Sequence, residues 1–229
     1  MPLRRAALLT LGASCTLAVP AVAGAAPSLG ALKPCYVSVR TAPKTFDTET
    51  VAVSGSGFSP NALIDIAVDG ATVATGVQAD GAGNLAPGTV KAPVVKSGQR
   101  PFTVTATEQG DAGQSASAGA LVSELAVRVR PRRARPRRRI RFTGAGFTIA
   151  GLPVYAHYVL NGRLRETVRL APRPTGPCGT FSVRRRQFPF TPGLGRWTVQ
   201  FDQRQAFTDE PPLVGLLIDV KRVPRTPRR

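Results

Sequence analysis

Apolar and polar residues alternate along several short stretches of this chain, and two of those stretches are copies of each other. Val51 to Phe58 reads VAVSGSGF, and Ile140 to Phe147 reads IRFTGAGF. In both, every second residue is apolar up to a Gly-x-Gly step, and a phenylalanine closes the stretch. A period of two is that of a strand with one buried face. Glycine at its end lets the backbone bend before the phenylalanine anchors it. The pattern predicts a strand followed by a corner, used twice.

The surrounding positions repeat on the same plan. In a first module, 34–123, Tyr36 to Val39 and Val51 to Val53 read as strands, and Leu63 to Val68 alternates Ile64, Ile66 and Val68 against Leu63, Asp65 and Ala67. Asp69-Gly70 is a two-residue hairpin turn into Thr72 to Val77. Asp80 to Asn84 reads as a second glycine-rich turn, Phe102 to Ala106 as a strand, Gln109 to Gln114 as a polar loop, and Ser115 to Val122 as the closing strand. In a second module, 124–223, Leu125, Val127 and Val129 alternate with Arg128 and Arg130. Val154 to Leu160 takes the place of Leu63 to Val68, Asn161-Gly162 the place of Asp69-Gly70, and Trp197, Val199 and Phe201 that of Phe102, Val104 and Ala106. Leu213 to Val220 is the last expected strand, and a basic tail, 224–229, ends the chain. The 23 glycines and 21 prolines, with no long helical periodicity, favour short strands joined by turns. The expected fold is all-β: two tandem antiparallel β-sandwiches of about seven strands each.

The first 25 residues read differently. Arg4 and Arg5 precede an apolar run from Ala6 to Val22, and small residues follow at Ala21, Ala23 and Ala25, the order of a cleaved secretory signal. A transmembrane anchor is the alternative, but the run is short and broken by Gly12, Ser14 and Pro20. Cys15 raises a lipoprotein reading, against which Gly12 stands where a large aliphatic residue is normal. Secretion to the cell envelope or the medium is the expectation.

GSGFSPNALIDIAVDG and GAGFTIAGLPVYAHYVLNG resemble the strand, glycine corner and hairpin of bacterial immunoglobulin-like domains, especially the IPT/TIG type. The chain as a whole is similar to two-module secreted proteins of high-GC Gram-positive bacteria. The resemblance implies immunoglobulin-like sandwiches used for spacing, adhesion or display near carbohydrate, with no catalytic residues and no cofactor. Neither module has the Cys, Trp, Cys spacing of antibody domains, so no disulfide is expected within one sandwich.

Three cysteines remain to be placed, and signal cleavage removes Cys15. Cys35 and Cys178, one in each module, are then expected to pair in an oxidising compartment, with two free thiols or an intermolecular bridge as the alternative.

No catalytic constellation stands in the sequence. His157, the one histidine, has no second histidine or cysteine cluster at metal-ligand spacing. No G-x-S-x-G nucleophile elbow occurs: Val53-Ser54-Gly55-Ser56-Gly57 comes close in letters only, and the second copy replaces its serines with Thr143 and Ala145. Asp202 stands alone, and Asp209 and Glu210 lie in a proline-bounded loop. Neither Gly-x-Gly stretch is followed by a helix or by the Lys-Ser/Thr of a phosphate loop. Phe58, Phe147, Trp197 and Phe201 are expected in the core, whereas Phe188 and Phe190 are candidates for exposure beside basic residues. The reading is a non-catalytic protein with a structural, spacing or adhesive role.

Charge adds a second possibility. The chain carries +18, and +16 once Arg4 and Arg5 are removed. Only five of the 31 basic residues are lysines, a bias that GC-rich coding can produce, but coding does not explain clustering. Arg128, Arg130, Arg132, Arg133, Arg135, Arg137, Arg138, Arg139 and Arg141 crowd together, Pro131 and Pro136 keep the segment extended, and no acid occurs from Leu125 to Arg165. Arg184, Arg185 and Arg186 join them if their strand lies nearby. The alternative function is therefore a polyanion-binding module for anionic wall polymer, acidic polysaccharide or, through non-specific charge, nucleic acid. A protected strand edge is the plainer explanation of the same residues.

Overall fold

The computed structural model describes residues 26–210 and 212–221; the expected signal sequence and basic tail lie outside them. Sixteen strands and no helix occur among the described residues. They are β1 (Ser28–Leu29), β2 (Cys35–Ala42), β3 (Thr45–Thr48), β4 (Thr50–Ser56), β5 (Leu63–Val68), β6 (Ala71–Gln78), β7 (Leu85–Lys91), β8 (Gln99–Glu108) and β9 (Asp111–Glu124), then β10 (Ala126–Arg130), β11 (Arg139–Ala145), β12 (Val154–Leu160), β13 (Arg163–Ala171), β14 (Phe181–Arg186), β15 (Gly195–Asp202) and β16 (Val214–Val220). They form four sheets: β1-β4-β7 and β3-β2-β9-β8-β5-β6, then β10-β11-β14 and β13-β12-β15-β16. Every pairing is antiparallel except β2 with β9. The fold is all-β.

The two halves follow one plan. β4 beside β7 corresponds to β11 beside β14, and β6-β5-β8-β9 corresponds to β13-β12-β15-β16. The repeated corners dock alike. Phe58 N donates to Gly83 O at 3.1 Å, and Phe147 N to Gly179 O at 3.2 Å. Gly83 (φ +76°) and Gly179 (φ +56°) are both left-handed, and a Cβ on either would run into the carbonyl oxygen of the docked phenylalanine. At the hairpins, Asp69-Gly70 and Asn161-Gly162 all have positive φ, which suits the right-handed twist of the flanking strands.

Each half has its own apolar cluster drawn from both of its sheets. Val51, Val53, Ile64, Ile66, Phe102 and Val104 lie in one; Ile140, Phe142, Ala156, Tyr158, Trp197 and Phe201 lie in the other. One strand serves both. β2 gives Tyr36 to the first cluster and Val37, with half-buried Val39, to the second. Leu125 N donates to Ser38 O at 2.9 Å, and Lys33 Nζ reaches Glu49 at 2.7 Å and Thr148 Oγ1 at 3.2 Å. Cys35 and Cys178 form a disulfide beside this junction, tying the start of β2 to the turn before β14.

Several local expectations need correction. β3 and β7 escape the alternation rule, because Pro87 and Gly88 interrupt β7 and β3 is short and mostly exposed. Gln109 to Gln114 is no loop: the turn is confined to Gln109-Gly110, and β9 already starts at Asp111. Phe188 is fully buried and Phe190 half-buried, both packed with Tyr158 and Trp197. They cap a core rather than front a basic patch.

Candidate polyanion-binding face

Strand register fixes which arginines share a surface. On β11, Ile140 and Phe142 point into the core, which turns Arg139 and Arg141 outward. Arg130 on β10 and Arg184 on β14 lie opposite Arg141 on either side, and Arg186 lies opposite Arg139. Arg128 faces outward on β10, opposite Thr143. The result is a row Arg130, Arg141, Arg184 running across all three strands, with Arg139 and Arg186 in the next row. Neighbours within a row are about 4.8 Å apart at the backbone, and rows are about 6.8 Å apart along the strands. Arg185 pairs with Ile140 and so stands on the opposite face, exposed at the sheet's end.

The connection from β10 to β11 carries the rest. Arg132, Arg133, Arg135, Arg137 and Arg138 are all exposed, and the loop is held by Arg138 N on Arg135 O and by Gln187 N and Phe188 N on the carbonyls of Arg138 and Pro136. The sequence thus brings β14 beside the ribbon through register, which spacing alone does not reveal.

Little neutralises these charges. Among the described residues, Arg128 alone of the twelve has a carboxylate partner, Glu124 at 3.0 Å, and Arg139 donates to the Arg184 carbonyl at 3.3 Å. Like charges directly opposite on a sheet destabilise it. Edge protection accounts for arginines on β10 and β14, but β11 is the central strand and has no edge to protect. The matching sheet of the first half manages without them: outward positions on β4 and β7 are Thr50, Ala52, Thr89 and Lys91. Residues 124–223 hold twenty Lys and Arg against six Asp and Glu, whereas 34–123 hold five against seven. The basic face is a property of one half.

A second polar cluster was not legible in the sequence. On β12, His157 is fully buried with its Nδ1 3.0 Å from Thr167 Oγ1 and its Nε2 3.2 Å from both Asp202 Oδ1 and Arg204 O. Both partners of Nε2 accept, so Nε2 carries the hydrogen. Asp202 does not stand alone: it also accepts from Gln200 Nε2 at 3.1 Å and Arg204 N at 2.8 Å. Burial works to raise the Asp202 pKa, but these hydrogen bonds outweigh it and hold the carboxyl below its ordinary 3.8. Phe207 covers the imidazole at 5.7 Å between ring centroids. The cluster pins the segment after β15 to the outer face of its sheet.

A cleft of about 320 Å³ opens at the junction of the halves, lined by Lys33, Glu49, Phe147, Ile149, Gln203 and Arg204 among others. Its cations are engaged, Lys33 by Glu49 and Arg204 by Glu210 at 3.6 Å. No group of three or more His, Cys, Asp or Glu among the described residues is arranged to hold a metal ion. No described helix is long and apolar enough to cross a membrane. No protein-family model matches the chain, and no curated protein sequence matches it significantly.

Proposed function

We propose that this chain is an exported, non-catalytic, immunoglobulin-like envelope protein that adheres to an anionic polymer through the outer face of β10-β11-β14. The observation that carries the reading is the row Arg130, Arg141, Arg184, which continues across a central strand where edge protection has no purpose. Guanidinium forks suit phosphate, sulfate and carboxylate oxygens. No aromatic ring is fully exposed among the described residues to give bases a stacking platform, so recognition is by backbone charge and independent of sequence. Export is supported by the signal-like start and by a disulfide, a bond that persists in oxidising compartments. The spacing role is supported by the shared strand β2 and the disulfide, which make a rigid mount for the face.

The test is retention on immobilised heparin and binding to duplex DNA across a salt series. Replacing Arg130, Arg141 and Arg184 with Ser is expected to weaken both, and to flatten the log-affinity against log-salt line by about 0.9 for each phosphate left without its guanidinium. Affinity and slope at wild-type values in a folded variant would overturn the reading and leave a scaffold.

A further inference from the structure

We infer that β16 is a self-association edge, and that its occupant is β16 of a second copy of this chain, paired antiparallel about Leu217. The inference is independent of the polyanion reading.

Eight strands lie at sheet edges among the described residues, and seven of them are blunted. β1 has two residues and β3 four. β7 contains Pro87, and β6 breaks register with β5 and bends at Gly76, φ +65°. β10 and β14 bear the arginines, and β13 carries Arg163, Arg165 and Arg169 with two register shifts. Short length, charge, proline and bulges are the ordinary ways to keep an edge from pairing. β16 uses none of them. Its seven residues, VGLLIDV, run in unbroken register with β15 from Val214 opposite Phe201 to Val220 opposite Gly195. Its one charge, Asp219, is held by Arg196 at 3.0 Å.

The apolar side chains on this edge are also incompletely covered. Leu217 is 71% exposed, the most of any large hydrophobic residue described, and Leu216 and Ile218 face the core but are only partly buried. The matching strand of the first half, β9, has Ala116, Ala118, Ala120 and Val122 at its inward positions, and β2 pairs with it only at Leu121–Glu124. Small alanines line the stretch left unpaired there, whereas β16 carries Leu216, Leu217 and Ile218 and pairs with β15 alone among the described residues.

A second β16 fits this edge by its own symmetry. Centred on Leu217, antiparallel pairing sets Leu216 against Ile218, Val214 against Val220, and Gly215 against Asp219. Leu217 meets Leu217 of the second copy, and each carboxylate meets a glycine rather than another carboxylate. The joined sheet has eight strands and two fewer edges. An isologous contact of this kind closes at two copies.

Light scattering and sedimentation of the full mature, oxidised chain test this at micromolar concentration. Both halves of such a pair carry a large positive charge, so dimer is expected to increase toward about 0.5 M salt, where that repulsion is screened. Polyanion binding would respond in the opposite sense. Leu217→Lys is expected to weaken dimerisation at least about tenfold, because it adds the missing edge charge at an exposed position. Leu217→Cys is expected to cross-link copy to copy under mild oxidation, and Leu194→Cys, 57% exposed in the loop before β15, is not. A chain that stays monomeric at every salt concentration would overturn the inference. So would a dimer unaffected by Leu217→Lys, or cross-linking no greater at 217 than at 194.

Discussion

Replacing Gly179 with Ala, and separately Gly83 with Ala, probes whether the two halves are one structural unit used twice. At both positions the backbone is left-handed and a Cβ would meet the carbonyl oxygen of the docked phenylalanine. The left-handed conformation alone costs alanine about 1–2 kcal/mol. The clash cannot be relieved without withdrawing the turn, which sacrifices the phenylalanine N–H bond, about 1 kcal/mol. Partial exposure of Phe58 or Phe147, 4% and 3% exposed in the native fold, adds on the order of 1–2 kcal/mol. The expected loss is therefore roughly 3–5 kcal/mol at each site. Gly176, in the same turn as Gly179, supplies the control. Its φ is +72°, but nothing lies within 4 Å of an added Cβ, so Gly176→Ala should cost only the conformational part. Guanidinium denaturation of the three variants measures the difference through the shift in midpoint at constant slope. If Gly179→Ala costs no more than Gly176→Ala, or if Gly83→Ala is mild while Gly179→Ala is severe, the shared docking geometry is not what holds the corners.

Removing the disulfide with Cys35→Ala and Cys178→Ala frees a loop of 143 residues and should lower stability by about 5 kcal/mol in the chain-entropy estimate, read from denaturant midpoints of oxidised and variant protein. Asp202→Asn turns an acceptor toward the Gln200 amide into a donor and should cost about 2–3 kcal/mol, with faster proteolysis of the segment after β15 as a second readout. The Asp202 carboxyl is held below its ordinary 3.8, so its contribution is complete above that value and is lost as pH falls through the lower folded one. Stability of the wild type should therefore drop from near pH 4 downward, and Asp202→Asn should remove part of that drop.

Alternation made the strands with clean apolar periodicity legible: β4, β5, β8, β11, β12 and β15 all follow it, and the turns Asp69-Gly70 and Asn161-Gly162 fixed two hairpins. What failed was local in cause. β7 carries Pro87-Gly88, which ordinarily argues against a strand but is tolerated at an edge. Phe188 follows three arginines, so its burial depends on Tyr158 and Trp197, which arrive from other strands. The arginine cluster was visible as composition, yet its rows needed the β11–β14 register. His157 and Asp202 lie 45 positions apart, and no short motif announces a hydrogen bond formed across neighbouring strands.

The double duty of β2 changes what counts as a separable piece of this molecule. A cut near position 124 looks natural on the sequence, but it would take Val37 and Val39 away from the cluster containing Leu125 and Val127 and strip the Leu125 amide of its partner on Ser38. Residues 124–221 alone should therefore be poorly soluble or molten, whereas a cut that keeps 33–49 with them preserves the lid on their core. The two halves are not beads on a string. A third copy of the second half could not be spliced between them unless it brought a β2 of its own.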